Sequence, residues 1–144
     1  MGRILRLVKA ISGQKCHYSS YAESGGQNET TQRAVGHTMM NRVGGYWGDT
    51  LSEVISQPYQ FAYGNRNYKN AMSYYDSGEW DNSIEQAAMD RCLVIAIAIN
   101  RGYDKDFTGG ALYFNSFESP DDWQYADEFT LLDVKGTEDF WFYK

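Results

Sequence analysis

The chain has 144 residues, of which 42% are hydrophobic, so it can bury one core and has no room for a second folded domain. Its formal charge of −6, from 13 basic and 19 acidic side chains, argues against nucleic acid as a partner, because phosphate binding requires clustered Lys and Arg. We therefore expect a single domain over residues 1–144, and a monomer.

The first 21 residues predict an amphipathic helix from about Arg3 to Tyr21. Its apolar stretches are interrupted by Arg3, Arg6 and Lys9, so the segment lacks the continuous apolar core of a secretory leader. The longest apolar run of the chain, LVIAIAI at 93–99, falls short of the roughly 20 residues that cross a bilayer. We expect neither a cleavable signal peptide nor a membrane span.

A second helix is predicted from Asn28, whose side chain can cap it with Glu29 in the first turn, to about Val43. Two glycines that follow Val43 end this helix. Short helices are expected around 50–56 and 68–75.

The clearest helix runs from Ser83 to about Arg101 and is closed by Gly102. One face carries an apolar stripe of Ile84, Ala88, Cys92, Ile95 and Ile99. After it, β-branched or aromatic runs at 111–114, 129–134 and 140–143 predict a small antiparallel sheet or hairpin near the C-terminus. Helices first and a sheet last predict an α+β fold that is mostly helical.

Neither the cysteines nor the histidines have the spacing of metal ligands. Cys16 and Cys92 lie far apart, and either two reduced thiols or one disulfide fits the sequence. His17 and His37 have no partner at metal-ligand spacing. We expect no metal and no cofactor.

Glu23 is the candidate catalytic acid. It falls at or just beyond the end of the first predicted helix, beside two glycines that keep bulky side chains away from its carboxylate. An acid that cleaves a glycosidic bond must stay protonated near neutral pH, and a partly apolar cleft raises the pKa of a glutamate. Aromatic residues make up 16% of the chain, which suits either a tyrosine-rich core or a cleft whose rings cover sugar faces. Taken alone, one glutamate among 19 acidic side chains is more often a solvated surface charge.

Three ordered segments resemble the SleB-type, spore-cortex-lytic cell wall hydrolases and cover most of residues 21–125. The segment 22–43 carries that family's Ala-Glu pair followed at fixed distances by Gly, Ala-Val and Asn-Arg-Val, here Ala22, Glu23, Gly26, Ala34, Val35, Asn41, Arg42 and Val43. SEVISQPYQF at 52–61 and TGGALYFNS at 108–116 are similar to two further segments of the family. The Glu23-Ser24 pair is also similar to the catalytic motif of bacterial soluble lytic transglycosylases.

The resemblance implies a lysozyme-like fold, the glycan strands of peptidoglycan as substrate, and Glu23 as the single catalytic acid/base, acting at the bacterial cell wall. In lytic transglycosylases the glutamate protonates the oxygen between N-acetylmuramic acid and N-acetylglucosamine. It then takes the proton of the C6 hydroxyl as that oxygen attacks C1. The product is a 1,6-anhydro sugar, and the reaction requires no second carboxylate.

Side chains in and near the matched segments are predicted to line the substrate cleft. The set comprises Gln60, Tyr113 and Asn115, together with Phe61 and Trp123 as rings that stack on sugars. Core packing is the alternative role for each aromatic residue. By contrast, we expect Asn41 and Arg42 to make structural hydrogen bonds, and Asp104 and Asp106 to be solvated.

Three positions depart from the family pattern. Gln27 stands where the family often has a second Glu, Thr31 where it often has Gly, and Phe140 where its C-terminal His would fall. These changes leave Glu23 intact and bear on the subsites around it.

Two other functions and several settings stay open from the sequence. A hydrolytic muramidase would use water and a second carboxylate, with Asp104, Asp106 or Asp121 as candidates. A peptidoglycan-binding module would keep the fold without catalysis. A phage endolysin, a spore enzyme, and a toxin injected into rival bacteria and neutralised by an immunity protein all suit a small catalytic domain.

Overall fold

The computed structural model describes residues 23–57 and 83–144, together with Lys69 and Ser73. In chain order these residues form α1 (Glu29–Asn41), α2 (Leu51–Ser56), α3 (Ser83–Asn100), β1 (Tyr113–Ser116), two 3-10 turns (Pro120–Asp122 and Ala126–Glu128) and β2 (Phe140–Tyr143). This order confirms the predicted α+β class, mostly helical with a small antiparallel sheet near the C-terminus. No helix among the described residues is long and apolar enough to span a membrane.

Two of the predicted helices fall outside these ranges. The helix from Arg3 to Tyr21 lies wholly outside the described residues. Of the helix around 68–75, only Lys69 and Ser73 are described, and both are helical.

Helix α1 begins where its cap predicts. The Asn28 side chain accepts a hydrogen bond from the Thr31 N–H at 2.8 Å, and its amide donates to the Gly136 carbonyl at 2.9 Å. The cap therefore also ties the start of α1 to the loop before β2. The helix ends at Asn41 instead of about Val43, because the Arg42 N–H bonds to the Met39 carbonyl and the backbone tightens into a 3-10 turn.

The packing of α1 on α3 forms one part of the core. Of the predicted stripe on α3, Ala88, Cys92, Ile95 and Ile99 are buried, and the side chain of Ile84 is not among those described. Gly36 of α1 lies at the closest approach, where an added Cβ would stand 2.7 Å from Ile99 Cδ1. Gly102 closes α3 in the left-handed region at φ 73°, as predicted.

The sheet pairs β1 with β2 in antiparallel register, from Tyr113 opposite Tyr143 to Ser116 opposite Phe140. Only two of the three predicted runs form regular strands, and β1 begins two residues later than predicted. The run at 129–134 makes one isolated bridge, between Leu131 and Tyr143. The Val134 N–H then donates to the Leu132 carbonyl at 3.2 Å, and this tight turn bends the chain away from β2.

The hydrophobic core joins the helices to the sheet. It contains residues of α1, α2, α3 and β2, namely Ala34, Val35, Met39, Val54, Ile55, Ala96, Phe140 and Phe142, together with Ala111 just before β1. This packing brings the C-terminal end of α1 against β1, and the candidate site lies at that junction.

Candidate active site

A cleft of about 320 Å³ lies where the end of α1 meets β1. Its lining residues are Glu23, Arg42, Tyr113, Phe114, Asn115, Phe117 and Trp123. Four of the six predicted site residues are in this set: Glu23, Tyr113, Asn115 and Trp123. The other two, Gln60 and Phe61, lie outside the described residues.

Glu23 is half-buried and helical, and with Ser24 it directly precedes the turn at Gly25 and Gly26. The backbone that follows Glu23 is held by hydrogen bonds from the buried side chain of Gln32 in α1. The Gln32 amide donates to the Ser24 carbonyl at 3.2 Å and to the Gly25 carbonyl at 3.3 Å. These bonds set the backbone next to the candidate acid.

Arg91 of α3 completes this support. Its Nε donates to the Gln32 side-chain oxygen at 2.7 Å, and its Nη2 donates to the Gln27 carbonyl at 3.2 Å. The Gln27 side chain is not needed for this contact, because the backbone carbonyl is the acceptor. Sequence reasoning did not identify these two residues, since nothing in the matched segment marked Gln32, and Arg91 lies far from Glu23 along the chain.

Arg42 provides a cation in the cleft wall. It is 4% exposed, its Nε donates to the Leu112 carbonyl at 2.6 Å, and its guanidinium lies 4.4 Å from the centre of the Trp47 ring. Burial lowers the pKa of Arg42 to about 10, so the side chain stays charged at neutral pH.

The structural hydrogen bonds expected of Asn41 and Arg42 are confirmed. The Asn41 amide donates to the Ala111 carbonyl at 3.1 Å and to Asp106 at 3.0 Å. The place of Arg42 in the cleft wall was missed, although its position in the Asn-Arg-Val motif was the available signal.

Tyr113, Trp123 and Phe129 form a packed aromatic wall. The Tyr113 ring centre lies 4.4 Å from that of Phe129, and Trp123 stacks on Phe129 at 5.2 Å with an angle of 14° between the planes. Tyr113 and Trp123 therefore both pack against Phe129 and line the cleft, so the two roles considered for them do not exclude each other. Phe114 and Phe117 also line the cleft and were not predicted to do so.

Asn115 brings a polar group to this wall. Among the described residues, its side-chain oxygen is buried and has no hydrogen-bond partner. A buried amide oxygen without a partner is costly, so a small rotation toward a ligand N–H or O–H would be favourable.

The acidic candidates for a second catalytic carboxylate lie elsewhere. Asp104 accepts from Arg33 Nε at 2.7 Å and pairs with His37 Nε2 at 3.0 Å, and its side chain is only 12% exposed. The hydrogen bond from Arg33 lowers the pKa of Asp104 more than burial raises it, and the pKa falls to about 2. The expectation that Asp104 is solvated was wrong, because two partners from α1 hold it.

Asp106 organises the turn before β1. Burial alone would raise its pKa, but hydrogen bonds from Thr108, Asn41 and the Gly110 N–H outweigh burial, and the pKa is lowered. Asp121 is exposed in the first 3-10 turn. Of the described residues that line the cleft, Glu23 is the only one with a carboxylate.

Two of the departures from the family pattern lie at buried positions. Phe140 is buried in the core and stacks on Phe114 at 6.0 Å with 16° between the planes, so an apolar ring suits this position. Thr31 is buried and its N–H is bound by the Asn28 cap. Cys92 is buried on α3, and Cys16 lies outside the described residues.

Residues 26–143 match the family model described as cell wall hydrolase. The match spans every named helix and strand of the structure, and it begins just after Glu23, which it does not include. No curated protein and no solved structure matches the chain significantly.

Proposed function

Because the chain belongs to the cell wall hydrolase family, we propose that it cleaves peptidoglycan at the bond between N-acetylmuramic acid and N-acetylglucosamine, with Glu23 as general acid/base. The observation that carries this proposal is the position of Glu23 in one cleft with Tyr113, Trp123 and Asn115. Aromatic faces cover the C–H faces of sugars, and the amide can bond a hydroxyl or an N-acetyl group. The site of action is the bacterial cell wall, where this substrate lies.

The surroundings of Glu23 suit a group that must both donate and accept a proton. Half-burial beside apolar rings disfavours a charged carboxylate, which favours the protonated acid of the first step. The cation of Arg42 in the same cleft favours the carboxylate that remains after donation. A group that works first as an acid and then as a base must be able to take both forms during the reaction.

We propose the lytic transglycosylase reaction. Glu23 gives its proton to the bridging oxygen as the C1–O bond breaks. The C6 hydroxyl of the same muramic acid then attacks C1 and passes its proton to Glu23, which closes the 1,6-anhydro ring. All atoms come from the substrate, and the enzyme ends in its starting form.

The distribution of carboxylates supports this reaction over water-dependent cleavage. The usual mechanism of a hydrolytic muramidase uses a second carboxylate about 5–9.5 Å from the first. Asp104 and Asp106 are instead engaged by side chains and backbone groups outside the cleft lining. Within the described residues, the cleft therefore suits a mechanism with one catalytic carboxylate.

Product analysis tests the proposal. Purified peptidoglycan is digested with the wild type, with Glu23→Gln and with a control, Glu118→Gln, which removes an exposed carboxylate next to the cleft residue Phe117. Mass spectrometry should find products one water lighter than reducing ends, for the wild type and the control only. Reducing ends in place of anhydro ends would indicate a muramidase. Unchanged lysis by Glu23→Gln would remove Glu23 from the mechanism, and binding without lysis by the wild type would indicate a binding module.

A further inference from the structure

Six aromatic rings form a continuous series that passes through the cleft and leaves it at both ends. In spatial order they are Tyr46, Trp47, Tyr113, Phe129, Trp123 and Tyr125, with centre-to-centre distances of 6.0, 5.7, 4.4, 5.2 and 5.9 Å. We call this series the aromatic track. Tyr113 and Trp123 line the cleft, whereas Tyr46 is 95% exposed.

The Tyr46 end of the track is anchored to the fold although its last ring is in solvent. Tyr46 and Trp47 lie in a tight turn closed by a bridge between Gly45 and Gly48. The Trp47 carbonyl accepts a hydrogen bond from the Gln57 side chain at 2.9 Å. A ring that is this exposed on an anchored turn contributes little to the core.

Arg42 connects this turn to the cleft. Its guanidinium lies 4.4 Å from the centre of the Trp47 ring and 5.2 Å from that of Tyr113. Trp47 is thereby held next to the cleft wall in a fixed orientation. The two rings of the turn thus extend the cleft surface outward.

We propose that Tyr46 and Trp47 form an additional saccharide subsite beyond the cleft, which binds the next sugars of a glycan strand. This inference rests on the proposed function for the identity of the ligand. A cleft of about 320 Å³ is at the small end of ligand pockets, so most of a polymeric substrate must lie outside it. The continuation of stacking rings from the cleft makes this end of the track a surface on which such a polymer can lie.

The test compares binding of two soluble peptidoglycan oligosaccharides, a tetrasaccharide and an octasaccharide, by isothermal calorimetry. All proteins carry Glu23→Gln so that no ligand is consumed. The variants are Tyr46→Ala, Tyr46→Phe, which keeps the ring, and Tyr103→Ala, which removes a tyrosine that is 81% exposed and outside the aromatic track. Melting temperatures verify that each variant is folded.

Tyr46→Ala should weaken octasaccharide binding about three- to tenfold, the effect of one stacking contact, and leave the tetrasaccharide unchanged. Tyr46→Phe and Tyr103→Ala should match the parent for both ligands. Equal loss for both lengths, or no loss for either, would overturn the additional subsite. Lack of binding to either length by the parent would also overturn it.

The two proposals fail separately. If the wild type does not cleave peptidoglycan but the length-dependent loss is seen, the enzymatic proposal falls and the subsite stands. If Glu23-dependent cleavage is found without that loss, the subsite falls and the enzymatic proposal stands.

Discussion

The ion-paired cluster at Asp104 should make a measurable contribution to stability, and Asp104→Asn removes it. Asp104 follows α3 and accepts hydrogen bonds from Arg33 and His37 of α1, so it ties the C-terminal end of α3 to the middle of α1. Phe107 covers the cluster, with its ring centre 4.6 Å from the Arg33 guanidinium and 5.8 Å from the His37 ring centre.

The magnitude follows from the pKa of Asp104, which falls from 3.8 to about 2 in the folded protein. At about 1.4 kcal/mol for each pKa unit, this shift corresponds to roughly 2 kcal/mol of stability at neutral pH. Arg33 is 35% exposed and water screens its charge, so we expect about 1–2 kcal/mol. For a chain of 144 residues, the melting temperature of Asp104→Asn at pH 7 should fall by about 2–8 °C.

The pH dependence has a definite sign. The folded pKa lies below the unfolded pKa, so the stabilisation is fully present above about pH 4 and is lost as the pH falls toward 2. Wild type should lose stability across this range, and Asp104→Asn should lack that component. The control is Asp133→Asn, because Asp133 pairs with Lys135 at 2.8 Å but both side chains are exposed.

Thermal melts of the three proteins between pH 2 and 7, followed by circular dichroism, provide the measurement. The assignment of the low pKa to this cluster would be refuted if Asp104→Asn had the melting temperature of the wild type at pH 7 and lost stability in the same way as the pH falls toward 2. If Asp133→Asn lowered the melting temperature as much as Asp104→Asn, the loss of a negative charge would explain the destabilisation without the buried position of Asp104.

Two further changes test the packing that positions the site. Gly36→Ala adds a Cβ that would stand 2.7 Å from Ile99 Cδ1 and should cost about 1 kcal/mol net of its gain in helix propensity. Ile99→Val removes that atom. Urea unfolding of the two single variants and the double variant should therefore show that the combined loss in free energy of unfolding is smaller than the sum of the two single losses. Strict additivity would contradict the close contact. Gln32→Leu removes both hydrogen bonds to the turn after Glu23 and should cost about 1–3 kcal/mol. Its peptidoglycan cleavage, measured by dye release well below the melting temperature, should also fall, and a wild-type rate would exclude Gln32 as a positioning residue.

Features that depend on near neighbours could be read from the chain alone. The Asn28 cap and the Gly102 stop depend on residues within about one helical turn, and the buried stripe of α3 depends on spacing within a single helix, so spacing and residue type were sufficient to predict them. The segment that carries Glu23 was recognisable for the same reason, since its motif is contiguous.

Features that join distant parts of the chain required the packed structure. Asp104 finds Arg33 and His37 only because α3 crosses α1, and Arg42 reaches the cleft only because the end of α1 meets β1. The run at 129–134 has strand-like residues but bends after one bridge to β2, and no local pattern predicted that bend. Helix caps and stripes are encoded within a few residues, whereas pairings across some 70 positions depend on how whole elements pack, which residue spacing does not specify.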